Sequence, residues 1–539
     1  MKKIYLFSTL LLVAFTGFSQ ITATTYRGAF EPAPAAMWTN SWTEFDPQNA
    51  VYPAVTQTIS GNIITNTTWT TGTTYALGGQ IYVKDGATLT IEPGVIIRST
   101  VLGAGLFVTK GAKLIAEGTA ALPIVFTSGF AAGSRSRGDW GGIILLGKGE
   151  YNVNGGVFNI EGILASADTQ FGGGATPDDN DNSGSLKYVR IEFAGYNYGV
   201  NQEINGLTFG AVGRGTTIDY VQVSYANDDS FEWFGGAVNC KHLVAYRGLD
   251  DDFDTDNGFN GNVQFCLAIK EPAIADISDS NCFESDNNSG STAGTKFTTA
   301  IFSNCTLIGP NARPAGGGSV NIRHRRAAHI RRNTQVQIHN SVFMDFVDGV
   351  VVDGATTIQT AIANNLKFKN NIIAGTTALK VATKANDTPA TTFDAAAWFT
   401  SNTNTSQASS AGLLTMPYNT TDGSIYTGLD YRPAVGSIAL SGADFTTLAK
   451  DKFASNAEFS LEVYPNPFAK SFKLSFISEN SSDDVKINIY DITGKVIESK
   501  NLKYNDANNY EFGNNYNAGI YITVISQGKA SKAIKIIKN

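Results

Sequence analysis

The sequence predicts an all-β protein, in which a right-handed parallel β-helix is followed by a small C-terminal β-sandwich. Charged residues make up only 16% of the 539 residues, and glycine accounts for 55 of them. Low charge with abundant Gly, Thr and Asn favours strands and turns over helices. Short apolar strands also return along the chain, and the last part of the chain alternates apolar and polar residues.

The first residues have the pattern of a secretory signal peptide. Two lysines precede an apolar run at 4–15, and Gly17 and Ser19 place small residues just before a cleavage site. The run is too short to span a membrane, and no later stretch reaches the about 18 apolar residues that a span requires. We therefore predict a signal peptide at 1–19 and a mature chain that does not cross a membrane.

The central region repeats short apolar strands. The segment 83–89 returns at 108–114, an offset of 25 residues, and strands of similar shape follow as far as residue 373. Irregular repeats of this size, separated by Asn and Gly turns, are typical of a parallel β-helix with coils about 4.8 Å apart. A β-propeller, the main competing fold, has repeats of about 40 to 50 residues. We place the β-helix at 80–375, with roughly a dozen coils.

Two flanking segments are predicted to cover the β-helix. The terminal coils of a solenoid need a polar outer face or a cover. Residues 20–79, which contain Trp38 and Trp42, are expected to form an N-terminal cap near one end. Residues 376–458 contain a short run of helix formers and a Ser/Thr/Asn-rich stretch, and are expected to form a covering segment that ends in a linker.

The C-terminal segment, 459–539, differs in composition from the rest. It has ten lysines against eight Asp and Glu, a net charge of about +2, whereas 20–458 has 28 basic and 39 acidic residues, a net charge of about −11. Stretches such as 485–490 and 520–524 alternate apolar and polar residues, and the segment 491–495 between them has the composition of a turn. This pattern predicts a separate small β-sandwich.

This segment also resembles a known export signal. The Tyr-Pro-Asn-Pro opening at 464–467, the strand–turn–strand stretch at 489–497 and the ending at 517–538 are similar to the type A C-terminal sorting domain of the type IX secretion system of Bacteroidetes. The resemblance implies export by the type IX secretion machinery, removal of the domain, and release or attachment at the outer cell surface.

The region before the tail resembles a widespread group of secreted bacterial β-helix proteins. The resemblance extends over most of 26–440 and is clearest at 87–97 and 139–149. It implies the β-helix fold. The group has no settled activity that the resemblance could transfer, so it assigns no catalytic residue to this chain.

A repeated acidic pattern is the sharpest chemical feature of the sequence. The segment 228–232 matches 250–254 at an offset of 22, and 281–286 matches 251–256 at an offset of 30. Stacked coils would align the matching side chains in columns. The expected columns are Glu232, Asp254 and Glu284, then Asp256 and Asp286, then Phe231, Phe253 and Phe283 on the opposite face.

Stacked carboxylates repel one another, so their charge has to be offset. Ca²⁺, a hard cation with oxygen ligands, would do this outside the cell. Hydrogen bonds to turn amides, or protonation, are the structural alternative. A second, weaker calcium candidate is the Asp-rich loop 176–184. The candidate Ca²⁺ ligands of the main pattern are Asp228, Asp229, Glu232, Asp251, Asp252, Asp254, Asp256, Glu284 and Asp286.

Positive charge gathers at 322–332, directly after a Gly-rich loop at 316–318. Arginine forks match carboxylate and sulfate groups, so this cluster is a candidate site for acidic polysaccharides. The alternative is that the arginines pair with the acidic coils of the same β-helix. Nucleic acid is not an expected partner, because the mature passenger is net acidic. The candidate ligand-binding residues are Arg323, Arg325, Arg326, Arg331 and Arg332.

Two functions remain open, and the sequence leans away from an enzyme. The first is a secreted or surface β-helix that binds glycans or surface ligands in the manner of an adhesin. The second is a Ca²⁺-dependent polysaccharide lyase or hydrolase of pectate-lyase-like build, in which an arginine removes a proton. The candidates for that base are Arg323, Arg325 and Arg326.

The four cysteines lie within 66 residues of one another, at Cys240, Cys266, Cys282 and Cys305. They are too few to form a disulfide scaffold in a chain of this length. One or two bridges, or four buried free thiols, are both compatible with the sequence.

Overall fold

The computed structural model describes residues 21–153, 155–199, 202–313, 319–383, 393–418, 428–446, 448, 459–478, 484–503, 506, 510–527 and 530–539. The predicted signal peptide and the Gly-rich loop at 316–318 lie outside these residues. The chain forms two compact units, Met1–Ala443 and Asp444–Asn539. The second unit therefore begins before residue 459, where the sequence analysis places the boundary.

The first unit is a parallel β-helix, as predicted, and its coils have three sides. The side that carries the repeated acidic pattern is a 10-stranded parallel sheet, which we call sheet 3. Its strands are Gln80–Val83, Gly105–Val108, Gly142–Leu146, Leu207–Gly210, Phe231–Phe234, Phe253–Asp256, Phe283–Ser285, Arg326–Ile330, Asp348–Val352 and Val381–Thr383.

The other two sides, sheets 1 and 2, are joined into one 19-stranded set. Three long strands turn the corner and belong to both sheets: Gly184–Glu192, Thr217–Ser224 and Asn239–Tyr246. Sheet 1 also contains Thr67–Trp69, Thr88–Ile91, Lys113–Glu117, Asn262–Gln264, Ile301–Ser303, Gln337–His339 and Lys367–Lys369. Sheet 2 also contains Gln57–Ile59, Thr74–Leu77, Ile96–Ser99, Ile124–Ser128, Leu267–Ile269, Thr306–Ile308, Val342–Met344, Ile372–Ala374 and Thr405–Gln407.

The corner between sheets 1 and 2 is made by one residue per coil in the left-handed backbone region. In the long strands these residues are Tyr188, Tyr220 and His242, with φ of 51°, 55° and 50°. The strain of this conformation is offset by stacking, because the Tyr188 and Tyr220 rings lie 4.5 Å apart and Tyr220 and His242 lie 4.3 Å apart. The aromatic column therefore fixes the coil-to-coil register at this edge.

The stack of coils is longer than the predicted 80–375. It begins with the strand Gln57–Ile59, which pairs with Thr74–Leu77, and ends with Thr405–Gln407, which pairs with Ile372–Ala374. Two α-helices, Ala355–Ile362 and Ala395–Ser401, connect the last coils. Parts of both flanking segments are therefore coils themselves.

An insertion and a small hairpin complete the first unit. The insertion between Gly142–Leu146 and Gly184–Glu192 carries an antiparallel pair, Phe158–Asn159 with Phe171 and Gln170, and a 3-10 turn at Ala167–Thr169. Its Tyr151 and Phe171 pack with Ile144 on the outer face of sheet 3. Beyond the last coil, Leu414–Met416 pairs antiparallel with Asp430–Pro433, and a second 3-10 turn lies at Ile438–Leu440.

The N-terminal cap was predicted to lie near one end, and this is wrong for residues 21–56. They form an N-terminal strap along the side of the β-helix. The Gln264 side chain forms two hydrogen bonds, of 2.7 and 2.6 Å, with the backbone of Thr22. The backbone N–H of Glu44 donates to the side chain of Gln222. The hydroxyl of Tyr52 donates to the carboxylate of Glu192. The reason is that the outer face of sheet 2 is apolar and needs a cover.

The strap and the end of the first unit form a second apolar core on sheet 2. Phe30 stacks on Trp38 at 5.1 Å, and Tyr431 lies 5.7 Å from Phe30. Arg432 donates to the carbonyl of Ala35 in the strap at 2.7 Å. These rings pack with outward residues of sheet 2, such as those of strand Val342–Met344.

The four cysteines are free and buried inside the coils. Burial raises the pKa of the Cys282 thiol well above its ordinary value, so the thiols are unreactive core residues. Of the two arrangements compatible with the sequence, the structure therefore has buried free thiols rather than disulfides. Within the described residues, no helix is long and apolar enough to cross a membrane.

The second unit is a β-sandwich of two antiparallel sheets, as predicted. One sheet contains Phe459–Tyr464, Phe472–Ser478 and Glu511–Phe512, and the other contains Val485–Asp491, Val496–Leu502, Gly519–Gln527 and Ala530–Lys538. Its own core includes Phe468, Phe472, Ile487 and Ile525. A separate core is what an independent sorting module requires.

Candidate functional site

The carboxylates of the repeated acidic pattern form the predicted column on sheet 3. Glu232 lies opposite Asp254, and Asp254 lies opposite Glu284, in parallel register. The preceding phenylalanines point into the core, where the Phe231 and Phe253 rings are 5.7 Å apart. Because side chains alternate along a strand, the acidic residues face outward. The offsets of the sequence pattern therefore correspond to real coil-to-coil neighbours.

Two acids at the entrance to sheet 3 act as turn caps. Asp229 accepts a hydrogen bond from the backbone N–H of Asp251 at 2.8 Å, and Asp251 accepts one from the N–H of Asn281 at 2.5 Å. Each carboxylate thus holds the next coil. The structural role that the sequence analysis left open holds for these two side chains.

Asp252 has a third environment. It is fully buried and lies 3.4 Å from the ammonium of Lys270, which is also buried. Burial raises the pKa of Asp252 to about 6, and Lys270 limits the rise. Because Asp252 pairs with Lys270, it does not join the candidate Ca²⁺ ligands on the outer face.

Five acids, including the turn cap Asp229, converge without forming a salt bridge in the part of the chain that the structure describes. Ligand atoms of Asp228, Asp229 and Asp250 lie within 4.8 Å of one another, and so do those of Asp229, Glu232 and Asp254. We call these five side chains the acidic cluster. Among the described residues, none of them forms a salt bridge with lysine or arginine.

Burial and mutual repulsion act together on the acidic cluster. Burial, followed by the charges of Glu284 and Asp286, raises the pKa of Asp254 well above its ordinary value. Burial and the charge of Glu161 do the same for Glu232. Asp254 Oδ1 is buried and has no hydrogen-bond partner within the described residues. Such groups are costly for folding, so a cation that offsets them would bind favourably.

The next coil of the same face has the opposite arrangement. Arg331 pairs with Glu284 and, at 2.8 Å, with Asp286, while Arg332 lies 2.7 Å from Asp286. Burial alone would raise the pKa of Glu284, but the hydrogen bond from His329 and the charge of Arg331 lower it. Burial still raises the pKa of Asp286 despite its two arginines.

His329 links this coil to the following one. It lies opposite Glu284 in register, its Nδ1 is 3.3 Å from Glu284, and its Nε2 is 2.9 Å from Asp353. Burial would lower the pKa of His329, but the two carboxylates raise it. The imidazole therefore adds positive charge between two acids.

The other arginines of the predicted cluster lie at the edge of the face. Arg323 and Arg325 both contact Asp279, at 3.1 and 3.2 Å. Arg326 donates to the side chain of Asn281 at 3.4 Å. Four of the five arginines thus pair with acids of the same β-helix, which is the alternative that the sequence analysis left open.

The Asp-rich loop at 176–184 does not gather its carboxylates. Asp179 pairs with Lys296 at 2.5 Å, and Asp181 accepts a hydrogen bond from the N–H of Lys148. Asp178 accepts one from the N–H of Asn180. Each acid has a local structural partner, and the loop forms no group of candidate metal ligands within the described residues.

Some residues of the site were not among the candidate ligands predicted from the repeats. Glu161 belongs to the insertion, and its charge contributes to the raised pKa of Glu232. Asn205 donates a hydrogen bond to Glu232. Asp250 was part of the acidic pattern but not of the candidate ligand set. Its position directly before Asp251 and its match to Asp228 were the available signals.

The comparisons with known proteins agree with this architecture. A family described as a secretion-system C-terminal sorting domain matches residues 462–539. A family described as a pectate-lyase-like β-helix domain matches residues 61–416, about two thirds of the chain. No curated protein and no solved structure matches it. The sorting domain indicates a secreted or outer cell-surface protein that engages the type IX secretion machinery. By its longer match, the chain belongs to the family of pectate-lyase-like β-helix domains.

Proposed function

We propose that this secreted β-helix protein binds an extracellular glycan or surface ligand, as an adhesin does, and that its acidic cluster holds Ca²⁺. The observation that carries the proposal is the convergence of five carboxylates that form no salt bridge with lysine or arginine among the described residues. Asp229 belongs to both groups of candidate ligands. A shared carboxylate would draw the two groups into one site.

The chemistry of the donor atoms favours calcium. All the candidate ligands are carboxylate oxygens, and neither group contains His or Cys. Hard oxygen ligands suit Ca²⁺ and do not suit Zn²⁺. Ca²⁺ takes six to eight oxygens, so a glycan could supply hydroxyl or carboxylate oxygens beside those of the protein.

The arginines support binding better than lyase chemistry. A base must be able to lose its proton, and two of the three candidate bases, Arg323 and Arg325, form salt bridges with Asp279. Lyase activity stays as a second candidate, because acidic and basic groups adjoin on one face of sheet 3.

Calcium binding is tested by thermal unfolding of the mature protein in EDTA and in Ca²⁺. At about 100 times its Kd, Ca²⁺ should stabilise the fold by about 2.7 kcal/mol. Asp229→Asn keeps an oxygen for the turn cap but removes a charge from both groups, so the increment should disappear. The matched control, Asp178→Asn, lies in an exposed turn and should retain it. An unchanged melting temperature in the wild type would contradict the calcium site.

Binding and lyase activity are separated by a panel of polyuronates and neutral polysaccharides with Ca²⁺. Immobilised polysaccharide should retain the protein without forming unsaturated product, which is followed by absorbance. Product that requires Ca²⁺ and is lost in Arg325→Ala would replace binding by lyase chemistry. Failure to be retained by any polysaccharide on the panel would count against glycan binding.

A further inference from the structure

A polar pocket lies at the corner where sheet 2 ends; none of its lining residues belongs to the acidic cluster, although Asn227 directly precedes Asp228. Its volume is about 440 Å³, which is enough for one sugar unit. The coil residues Phe193 and Tyr225 line it, and both have φ in the left-handed region, at 63° and 55°. Two arginines from the loop before strand Gly142–Leu146 complete one wall. We call this the arginine pocket.

Arg137 is the central side chain of the arginine pocket. Its guanidinium lies 4.8 Å from the Tyr225 ring, and one of its NH2 groups donates to the carbonyl of Arg247 at 2.7 Å. Among the described residues it forms no salt bridge, and its Nε has no hydrogen-bond partner. Burial lowers the pKa of Arg137 to about 10, although Glu271 opposes this. Arg137 is therefore a partly buried cation that lacks a paired anion.

Arg135 adds a second fixed charge. It donates to the carbonyls of Pro47 and Ala50 in the N-terminal strap, and to Phe130 at 3.3 Å. These neutral carbonyls hold the guanidinium without cancelling its charge. Within the described part of the chain, Arg135 also has no salt bridge.

The acids around the arginine pocket have other partners. Glu271 lies 2.8 Å from Arg247. Asp139 accepts hydrogen bonds from the hydroxyl of Ser128 and the N–H of Ser136. Two of the lining residues are arginines and none is acidic, in a protein whose formal net charge is -7.

Polar groups on the rim can orient a ligand. Asn227, Ser136 and Gln48 line the pocket with an amide, a hydroxyl and a second amide. Gln48 is held by its donation to the carbonyl of Arg135 at 3.1 Å. Arginine forks and amides suit the oxygens of a planar carboxylate or a sulfate, as well as sugar hydroxyls.

We propose that the arginine pocket binds the carboxylate or sulfate group of a sugar-sized anion. The juxtaposition of Arg135 and Arg137 beside the amide of Asn227 carries this assignment. It goes beyond the proposed function, because the pocket is separate from the acidic cluster and needs no calcium. The two sites would recognise opposite charges.

The test is calorimetric titration of the mature protein in EDTA, so that Ca²⁺ plays no part. The probes are galacturonate, glucose 6-sulfate and neutral methyl glucoside. We expect binding of at least one anionic probe and none of the neutral one. Arg137→Gln should weaken anion binding about tenfold, since it removes a charge-assisted contact. Ser136→Asp places a carboxylate on an exposed rim position and should weaken it similarly.

A control variant outside the pocket and a second variant on its rim complete this test. Arg214→Gln removes an arginine that pairs with Asp179 elsewhere, and it should leave the affinity unchanged. If Arg137→Gln unfolds, Ser136→Asp alone decides. Binding of only one anionic probe would identify the group that the pocket accepts. No binding of either anion, equal binding of methyl glucoside, or full affinity in Ser136→Asp would overturn the proposal.

Discussion

Asp254 and Glu284 are neighbours in register on the outer face of sheet 3, yet their pKa values move in opposite directions. Both are buried enough for desolvation to raise the pKa. Glu284 has Arg331 and His329 beside it, and its pKa falls below the ordinary value. Asp254 forms no salt bridge within the described residues, and burial together with the charges of Glu284 and Asp286 raises its pKa well above the ordinary value. We call the coil of Glu284, whose acids are paired with basic side chains, the compensated half of the face. The acidic cluster, which contains Asp254, is the uncompensated half.

The two halves of this face therefore differ in whether their buried charges are paired. The adjacent coil carries arginines that pair with its acids. This face can therefore accommodate basic partners, and their absence from the uncompensated half has another reason. Buried charges without partners weaken a fold and are found mostly at functional sites. The following experiments act on one half at a time.

The largest expected effect is the pH dependence of the buried acids in and around the uncompensated half. In EDTA, stability should fall by about 4 kcal/mol between pH 5 and pH 8, because one pKa unit corresponds to about 1.36 kcal/mol. Burial and neighbouring acids raise the pKa of Asp251 and Asp256 to about 7, whereas unfolded Asp has a pKa of about 3.9. The native state binds more protons in this window, so stability decreases as pH rises.

Denaturant unfolding at several pH values measures this change. His329, whose pKa is raised, acts in the same direction because its attraction to the acids is lost as it deprotonates. Glu284 has a lowered pKa and acts below this window. Stability that is constant or rises from pH 5 to pH 8 would contradict the uncompensated cluster. Saturating Ca²⁺ should flatten the profile.

Breaking the compensated half should have the next largest effect. Arg331→Met leaves Glu284 and Asp286 without their main partner and should destabilise the fold by about 3 kcal/mol. Arg331 is only 26% exposed, so solvent screens these pairs weakly. Chemical denaturation measures the change.

Arg323→Met is the matched control for this variant. Its side chain is 49% exposed and pairs with Asp279, so we expect a loss below about 1 kcal/mol. Equal losses in the two variants would mean that burial of the Arg331 pairs adds nothing to their contribution to stability.

The smallest expected effect comes from relieving repulsion. Asp254→Asn removes one charge from the acidic cluster and should stabilise the calcium-free protein by about 1 kcal/mol near pH 8. The same change should weaken the response to Ca²⁺, measured by thermal unfolding with and without the ion. Destabilisation in EDTA would show that the Asp254 charge is compensated.

The sequence alone was sufficient for the fold and for the acidic column. Coils of similar length repeat their side chains, so the offset of 22 residues placed Glu232 beside Asp254. The offset of 30 placed Asp254 beside Glu284, although one coil is longer than the other. Both follow because a parallel ladder conserves register.

Other parts of the site depend on connections and an insertion whose course cannot be predicted from the repeats. Glu284 and His329 are 45 positions apart, and the long loop between them hides their alignment. Glu161 reaches the cluster through the insertion, whose course depends on apolar packing by Tyr151 and Phe171. The strap was misplaced because its tryptophans indicate burial but not which surface they cover.

The N-terminal strap has a consequence for how the molecule unfolds. An ordinary solenoid can fray coil by coil, because each coil contacts only its neighbours. Here Thr22 is fixed to the coil of Gln264, and Tyr52 is fixed to the distant coil of Glu192. One segment thus couples coils that never touch, and opening one of them disturbs the others. Because the strap contacts coils that are far apart in sequence, we expect it to dock only after the coils it contacts have formed.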